Sequence, residues 1–213
     1  MKLASYIDHT LLSPIATNKQ VETLCGEAIE HGFASVCVHP YYVPLCKECI
    51  GSNNIAICTV VGFPFGANNN LTKIFEASQA IQDGATEIDI VMNLPAFKNG
   101  DSEAVYSDIL SIKAICKEYI VKVIIETAYL SKQAKIDACR ICIDAGADFV
   151  KTSTGYGPTG ATVDDVVLLK DTAAGAIKVK AAGGIKTRAF AKQLIQAGAD
   201  RLGTSSAMAI IKG

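Results

Sequence analysis

Short apolar runs alternate along this chain with longer segments whose apolar positions recur every three or four residues, the pattern of strands alternating with helices. Strands are expected over 5–9, 34–38, 55–61, 87–92, 121–126, 149–152, 177–181 and 201–204. Helices are expected over 17–31, 41–50, 71–83, 102–119, 131–145, 163–172, 187–197 and 205–211, with 102–119 the longest. The strand runs are apolar on both faces, as parallel strands covered by helices must be. Eight such units in 213 residues predict an α/β fold, a single-domain (β/α)8 (TIM) barrel spanning 1–213. The competing architecture is an open doubly wound sheet. It fits less well, because no GxGxxG follows the first strand and the glycine-rich segments come late and repeat.

An internal echo supports repetition. Asp83-Gly84-Ala85-Thr86, Asp144-Ala145-Gly146-Ala147-Asp148 and Gln196-Ala197-Gly198-Ala199-Asp200 each close a helix and lead into a strand. Glycine there supplies a left-handed cap, and the turns belong to the face of the barrel that serves stability.

Half of the residues are hydrophobic, enough for a sizeable core, and the net charge is −1, which offers no electrostatic case for nucleic acid or an anionic membrane. No apolar run approaches the ~18 residues of a membrane span. The first eight residues carry no apolar signal segment, so a cytoplasmic protein is expected. Its eight cysteines are then expected to be reduced. The Cys46/Cys49 and Cys139/Cys142 pairs fall in helical patterns about half a barrel apart, so small packing residues are expected there rather than a zinc site. His9, His31 and His39 lack metal-site spacing; no metal and no cofactor are expected.

The candidate chemistry lies at strand ends. Lys151 in Phe149-Val150-Lys151-Thr152 and Lys180 in Ile177-Lys178-Val179-Lys180 close two neighbouring runs, each followed by small residues. Neighbouring strands stand about 4.8 Å apart. Two inward lysines there would repel by about 3 kcal/mol at an effective dielectric near 20, lowering one pKa by about two units. A partly neutral lysine can attack a carbonyl; the same spacing also fits two lysines solvated at the rim. Lys180 inward implies Lys178 inward, reaching the lower rim or turned out by an irregularity. Asp89, buried mid-strand, requires a cationic partner. Asp8, with Thr10 two positions on, has the same character, and Lys122, Ile124 and Glu126 share a face of their strand. A plain ion-paired barrel layer would also satisfy these residues. Gly155, Gly183, Gly184 and Gly203, with Ser205 and Ser206 opening the last helix, form loops that could cradle a phosphate.

These segments resemble deoxyribose-phosphate aldolases. Phe149-Val150-Lys151-Thr152-Ser153-Thr154-Gly155, Val179-Lys180-Ala181-Ala182-Gly183-Gly184-Ile185, Asp8-His9-Thr10, Glu87-Ile88-Asp89, 122–127 and Gly203-Thr204-Ser205-Ser206 occur in the family's order over nearly the whole chain. The resemblance implies a metal-independent class I aldolase that reversibly cleaves 2-deoxy-D-ribose 5-phosphate to D-glyceraldehyde 3-phosphate and acetaldehyde, in deoxyribose phosphate catabolism. It implies Lys151 as the Schiff-base lysine, Lys180 as the second lysine and Asp89 as acid/base partner. Asp8, Thr10 and Lys122 are then supporting groups, and Gly155, Gly183, Gly184, Gly203, Ser205 and Ser206 the phosphate cradle. Its partners are phosphosugar and aldehyde substrates, and a homo-oligomer, dimer or tetramer, is expected. Two residues depart from the pattern: Tyr156 stands where some relatives carry lysine, with Lys186 a replacement source of charge, and His39 stands where many carry asparagine. The alternatives are a phosphosugar isomerase or epimerase using a carboxylate or histidine base, and a non-catalytic sensor of a phosphorylated ligand.

Overall fold

The computed structural model describes residues 3–213; Met1 and Lys2, the first residues of the expected domain, lie outside it. Eight parallel strands close into a barrel in chain order. They are β1 (Ile7–Leu11), β2 (Ser35–Val38), β3 (Ala56–Val61), β4 (Glu87–Val91), β5 (Ile120–Ile124), β6 (Phe149–Lys151), β7 (Lys178–Ala182) and β8 (Arg201–Thr204), with β8 pairing back to β1. Around them lie α1 (Asn18–His31), α2 (Val43–Ile50), α3 (Asn70–Asp83), α4 (Leu94–Lys98), α5 (Ser102–Ile115), α6 (Lys132–Asp144), α7 (Val163–Ala173), α8 (Arg188–Gln196) and α9 (Ala207–Lys212).

Strand alternation divides the molecule into two interiors. Val36, Ile88, Ile90, Val121, Val123, Val150, Val179 and Leu202 belong to one large apolar cluster that also takes in helix residues such as Val21, Ile109, Ala138 and Leu194. The opposite face of the same strands points into the barrel and carries Asp8, Cys58, Asp89, Lys122, Lys151 and Lys180, all buried. Charged residues thus occupy space that branched aliphatic residues commonly fill.

The echoed turns have one job. Thr86, Asp148 and Asp200, each following Gly-Ala or Ala-Gly-Ala, accept a backbone N–H from the preceding strand: Ile57 at 3.0 Å, Val121 at 2.8 Å and Val179 at 2.9 Å. Lys113 and Lys170 pair with the two aspartates. Gly84, at φ 116°, ends α3 in the left-handed region that other residues rarely adopt.

Several expectations are corrected. β1 begins at Ile7, because 3–6 wind into a 3-10 turn whose Leu3 packs into the core. α5 stops at Ile115 and has the same 14 residues as α1 and α3, so it is not the longest helix. The short α4, started by Asn93 capping Ala96, was not expected from the pattern. The last helix begins at Ala207 rather than 205. Cys46 and Cys49 lie on α2, and Cys139 and Cys142 on α6.

Candidate active site

The ends of β1, β6, β7 and β8 surround a cavity of about 410 Å³ lined by Thr10, Lys151, Ala182, Thr204 and the loops that follow. All six residues expected to form an anion cradle, Gly155, Gly183, Gly184, Gly203, Ser205 and Ser206, line it, and so does Lys186. Gly183, at φ 85°, lies so close to Gly160 that a Cβ on Gly160 would stand 2.2 Å from the Gly183 carbonyl oxygen. The two loops therefore touch backbone to backbone. Gly203 has a second role: a Cβ there would meet Lys180 Cε at 3.2 Å, so its bareness leaves room for the lysine.

Lys151 forms part of the cavity wall and is 3% exposed. Behind it six residues alternate in sign around a closed ring. Asp8 Oδ2 meets Lys180 Nζ at 2.5 Å, and Lys180 meets Asp89 Oδ2 at 2.7 Å. Asp89 Oδ1 accepts from Lys122 at 2.8 Å, and Lys122 pairs with Glu87 at 2.6 Å. Glu87 accepts from Arg201 at 2.8 Å, and Arg201 Nε returns to Asp8 Oδ1 at 2.6 Å. Lys151 is the seventh member, donating to Asp89 Oδ2 at 2.7 Å. Strand register sets this up, because Lys151 lies opposite Lys180, Lys180 opposite Arg201 and Asp89 opposite Lys122.

The electrostatics differ from the expectation of two repelling cations. Burial alone would push the Lys180 ammonium toward neutrality, but Asp8 and Asp89 outweigh it and hold its pKa above the ordinary lysine value. Lys122 is likewise driven down by burial and held up by Asp89, Cys58 and Glu87. Burial pushes Asp89 up, and Lys122, Lys151 and Lys180 together hold it well below the ordinary carboxylate range. Asp8 is lowered in the same way, against burial, by Lys180, Lys122 and Arg201. Lys180 is thus held cationic by Asp8 and by the Asp89 carboxylate it shares with Lys151, an arrangement invisible until β1 and β4 are brought to β7.

Other expected residues fall into place differently. Lys178 is inward, exposed at the lower rim, with its ammonium 5.6 Å from the Phe149 ring centroid, so it reaches water past that ring. Thr10 donates to the Asp8 carbonyl at 2.8 Å. Glu126 does not share the β5 face with Lys122: the strand ends at Ile124, and Glu126 sits at φ 48° in the following loop. There it accepts from Thr154 N at 3.1 Å and from Thr154 Oγ1, tying the β5 loop to the segment before Gly155. The two departures, Tyr156 and His39, meet at one atom: both bond the Leu12 carbonyl oxygen, at 2.6 and 2.8 Å. Both rings also pack edge-on against Phe63, so together they fix a residue of the cavity wall. Glu87 and Arg201 complete the ring without having been singled out. Their only sequence signal is a charge at the entry of a strand, which Lys178 of β7 shows as well without joining the ring.

The profile of the DeoC/LacD family aldolases matches residues 2–212. A curated deoxyribose-phosphate aldolase from Caldicellulosiruptor saccharolyticus is 51% identical, with 99% of this chain aligned to 97% of the relative. Deoxyribose-phosphate aldolase 1 of Mesoplasma florum is 50% identical across 100% of this chain and 97% of its own. Among solved structures, the deoxyribose phosphate aldolase of Aeropyrum pernix, described as a unique tetramer, superposes with a TM-score of 0.93 at 36% identity, covering 99% of this chain and 89% of that one.

Proposed function

We propose that this chain, which belongs to the DeoC/LacD family of aldolases, reversibly cleaves 2-deoxy-D-ribose 5-phosphate to D-glyceraldehyde 3-phosphate and acetaldehyde through an imine on Lys151. One observation carries the assignment of the lysine. Lys151 alone among the ring's cations lines the cavity, while Lys180, Lys122 and Arg201 are committed to carboxylates behind it. The pairing agrees: Lys180 and Lys122 each have a carboxylate besides Asp89, in Asp8 and Glu87, whereas the one carboxylate that Lys151 meets, Asp89, is shared with both.

The Lys151 amine adds to the open-chain aldehyde and water leaves. The resulting iminium accepts the electron pair of the carbon–carbon bond as the hydroxyl on the departing fragment loses its proton. The enamine left on Lys151 is then protonated and hydrolysed to acetaldehyde. Asp89 and Lys180, hydrogen-bonded to each other and to Lys151, form the route for those protons. The imine is the electron sink, so no step calls for a metal ion. An isomerase or epimerase would need a carboxylate or histidine base facing the substrate, whereas Asp89 and Asp8 are fully buried and engaged by cations and neither His9 nor His39 lines the cavity. The test is reduction with borohydride in the presence of acetaldehyde, after removal of metals by a chelator. The expected result is a two-carbon adduct on the Lys151 peptide; an adduct on Lys180 or Lys122 reassigns the roles, and no adduct removes the imine.

The phosphate is assigned to the loops after β6, β7 and β8, which supply Gly155, Gly183, Gly184, Ser205 and Ser206 with Lys186 nearby. Ser206→Asp places an anion where an anion binds. The ratio of kcat/KM for deoxyribose 5-phosphate over deoxyribose is expected to fall by at least about tenfold, ~1.4 kcal/mol of transition-state binding. An unchanged ratio in a folded variant moves the phosphate elsewhere.

Self-association is assigned to the exposed apolar residues Leu71 and Phe75, one turn apart on α3, with Tyr41 across a groove from Phe75. The sedimentation coefficient of Leu71→Glu against wild type reports it. Eight free cysteines suit a reducing cytoplasm, and no helix among the described residues is long and apolar enough to cross a membrane.

A further inference from the structure

Cys37 and Cys58 lie opposite each other on β2 and β3, both fully buried. Their sulfurs and a carboxylate oxygen of Asp89 all lie within 4.8 Å of one another. Cys58 Sγ donates to Asp89 Oδ1 at 3.1 Å, and Lys122 Nζ stands 3.4 Å from the same sulfur. The aldol reaction uses neither thiol. Leu12 connects this corner to the substrate, since it lines the cavity and also clusters with Cys37, Cys58 and Val60.

We propose that Cys37, Cys58 and Asp89 form a site for a thiophilic divalent cation of the zinc or cadmium type, and that filling it stops turnover. The donor set is right for such an ion, with two soft sulfurs and one carboxylate oxygen, leaving a fourth tetrahedral position for water. An ion bound at ordinary zinc distances holds such ligands about 3.6–3.8 Å apart, so sulfurs and oxygen already within 4.8 Å need small movements. The charges also fit. Two thiols lose their protons as one dication enters, so M²⁺ + 2 RSH + RCOO⁻ becomes M(SR)₂(OOCR)⁻ + 2 H⁺, and the net charge of the buried cluster is unchanged. The metal takes the place of the proton that Cys58 now shares with Asp89. Asp89 Oδ1 would then be a ligand rather than the acceptor of Lys122, and the carboxylate that positions Lys151 and Lys180 would be held by the ion. The loss of turnover rests on the function proposed above; the binding does not.

Cadmium serves as the probe because its thiolates absorb in the ultraviolet, a signal blind to catalysis. Purified chain is titrated with cadmium while absorption and deoxyribose 5-phosphate cleavage are followed together. The expected result is one ion per chain, with absorption and inhibition rising in parallel and both reversed by a chelator. Cys37→Ser and Cys58→Ser should each weaken cadmium binding, read from the absorption, by at least about tenfold. Cys49→Ser, which removes a thiol from the separate Cys25, Cys46 and Cys49 group, should leave absorption and inhibition as in wild type. Absorption that survives in Cys58→Ser but disappears in Cys49→Ser overturns the site. Absorption without inhibition in an active enzyme overturns the link to turnover. If the chain cleaves no deoxyribose 5-phosphate, the absorption series alone still decides whether the ion binds here.

Discussion

Lys151→Ala is expected to lower kcat by at least about 10⁴-fold, to the level left when a covalent nucleophile is lost. Neither of the other two lysines of the ring can replace it. Lys180 is fully buried, held by Asp8 at 2.5 Å and Asp89 at 2.7 Å, and does not line the cavity. Lys122 is fully buried between Glu87 and Asp89. The variant is nevertheless expected to unfold at a temperature equal to or above that of wild type, since it removes the one positive charge the ring does not balance. A steady-state assay and a thermal melt check both halves. More than about 1% residual turnover would place the nucleophile elsewhere. A marked drop in melting temperature would mean that the Lys151 charge is needed by the fold.

The second large effect is expected at Asp89. Its carboxylate accepts from Lys122, Lys151 and Lys180, so Asp89→Asn leaves three buried lysines around a neutral amide. Removing one partner of a buried ion pair costs about 3–5 kcal/mol, and losing the group that relays protons lowers kcat by about 10²–10⁴-fold. A urea midpoint and kcat measure the two. The double variant Asp89→Asn/Lys151→Ala discriminates further: it should be more stable than Asp89→Asn alone, because the second change withdraws a surplus cation. Equal stabilities would show that Lys151 carries no charge in the resting enzyme. The wild type has a matching pH dependence. A carboxylate whose folded pKa is depressed contributes stability that is fully present above its unfolded pKa, near 3.9. That contribution is lost as the pH falls toward the folded value, so Asp8 and Asp89 make the protein acid-sensitive below about pH 4. Asp89→Asn should flatten that part of the profile.

The lysines were legible because polar residues in apolar strands stand out. Lys151, Lys180, Lys122, Asp89 and Asp8 each interrupt a run that parallel packing otherwise keeps apolar, and alternation says which face they take. The Gly183-Gly184 pair was legible because little else tolerates such a loop, whereas Gly160, which touches Gly183, gave no signal in the sequence. Boundaries were less legible. Whether Glu126 continues β5 depends on a residue at φ 48°, and nothing in Ile124-Ile125-Glu126 announces that turn.

The alternation of apolar runs and helical patterns was enough to set the order of the eight strands and to put Lys151, Lys180, Lys122, Asp89 and Asp8 on an inward face, because both follow from local periodicity. Closure into a barrel rather than an open sheet, the inward position of Lys178 and the turn at Glu126 came from the tertiary structure. Nor did the sequence determine the sign of the electrostatics. Two lysines on adjacent strands predict repulsion. Whether they repel depends on what β1, β4 and β8 bring to the same point: Asp8, Asp89, Glu87 and Arg201 close a ring in which Lys180 stays cationic. Asp8 and Arg201 lie at opposite ends of the chain, yet their side chains meet at 2.6 Å because β8 pairs with β1. Charge interaction depends on distance in space, which only closure of the barrel sets.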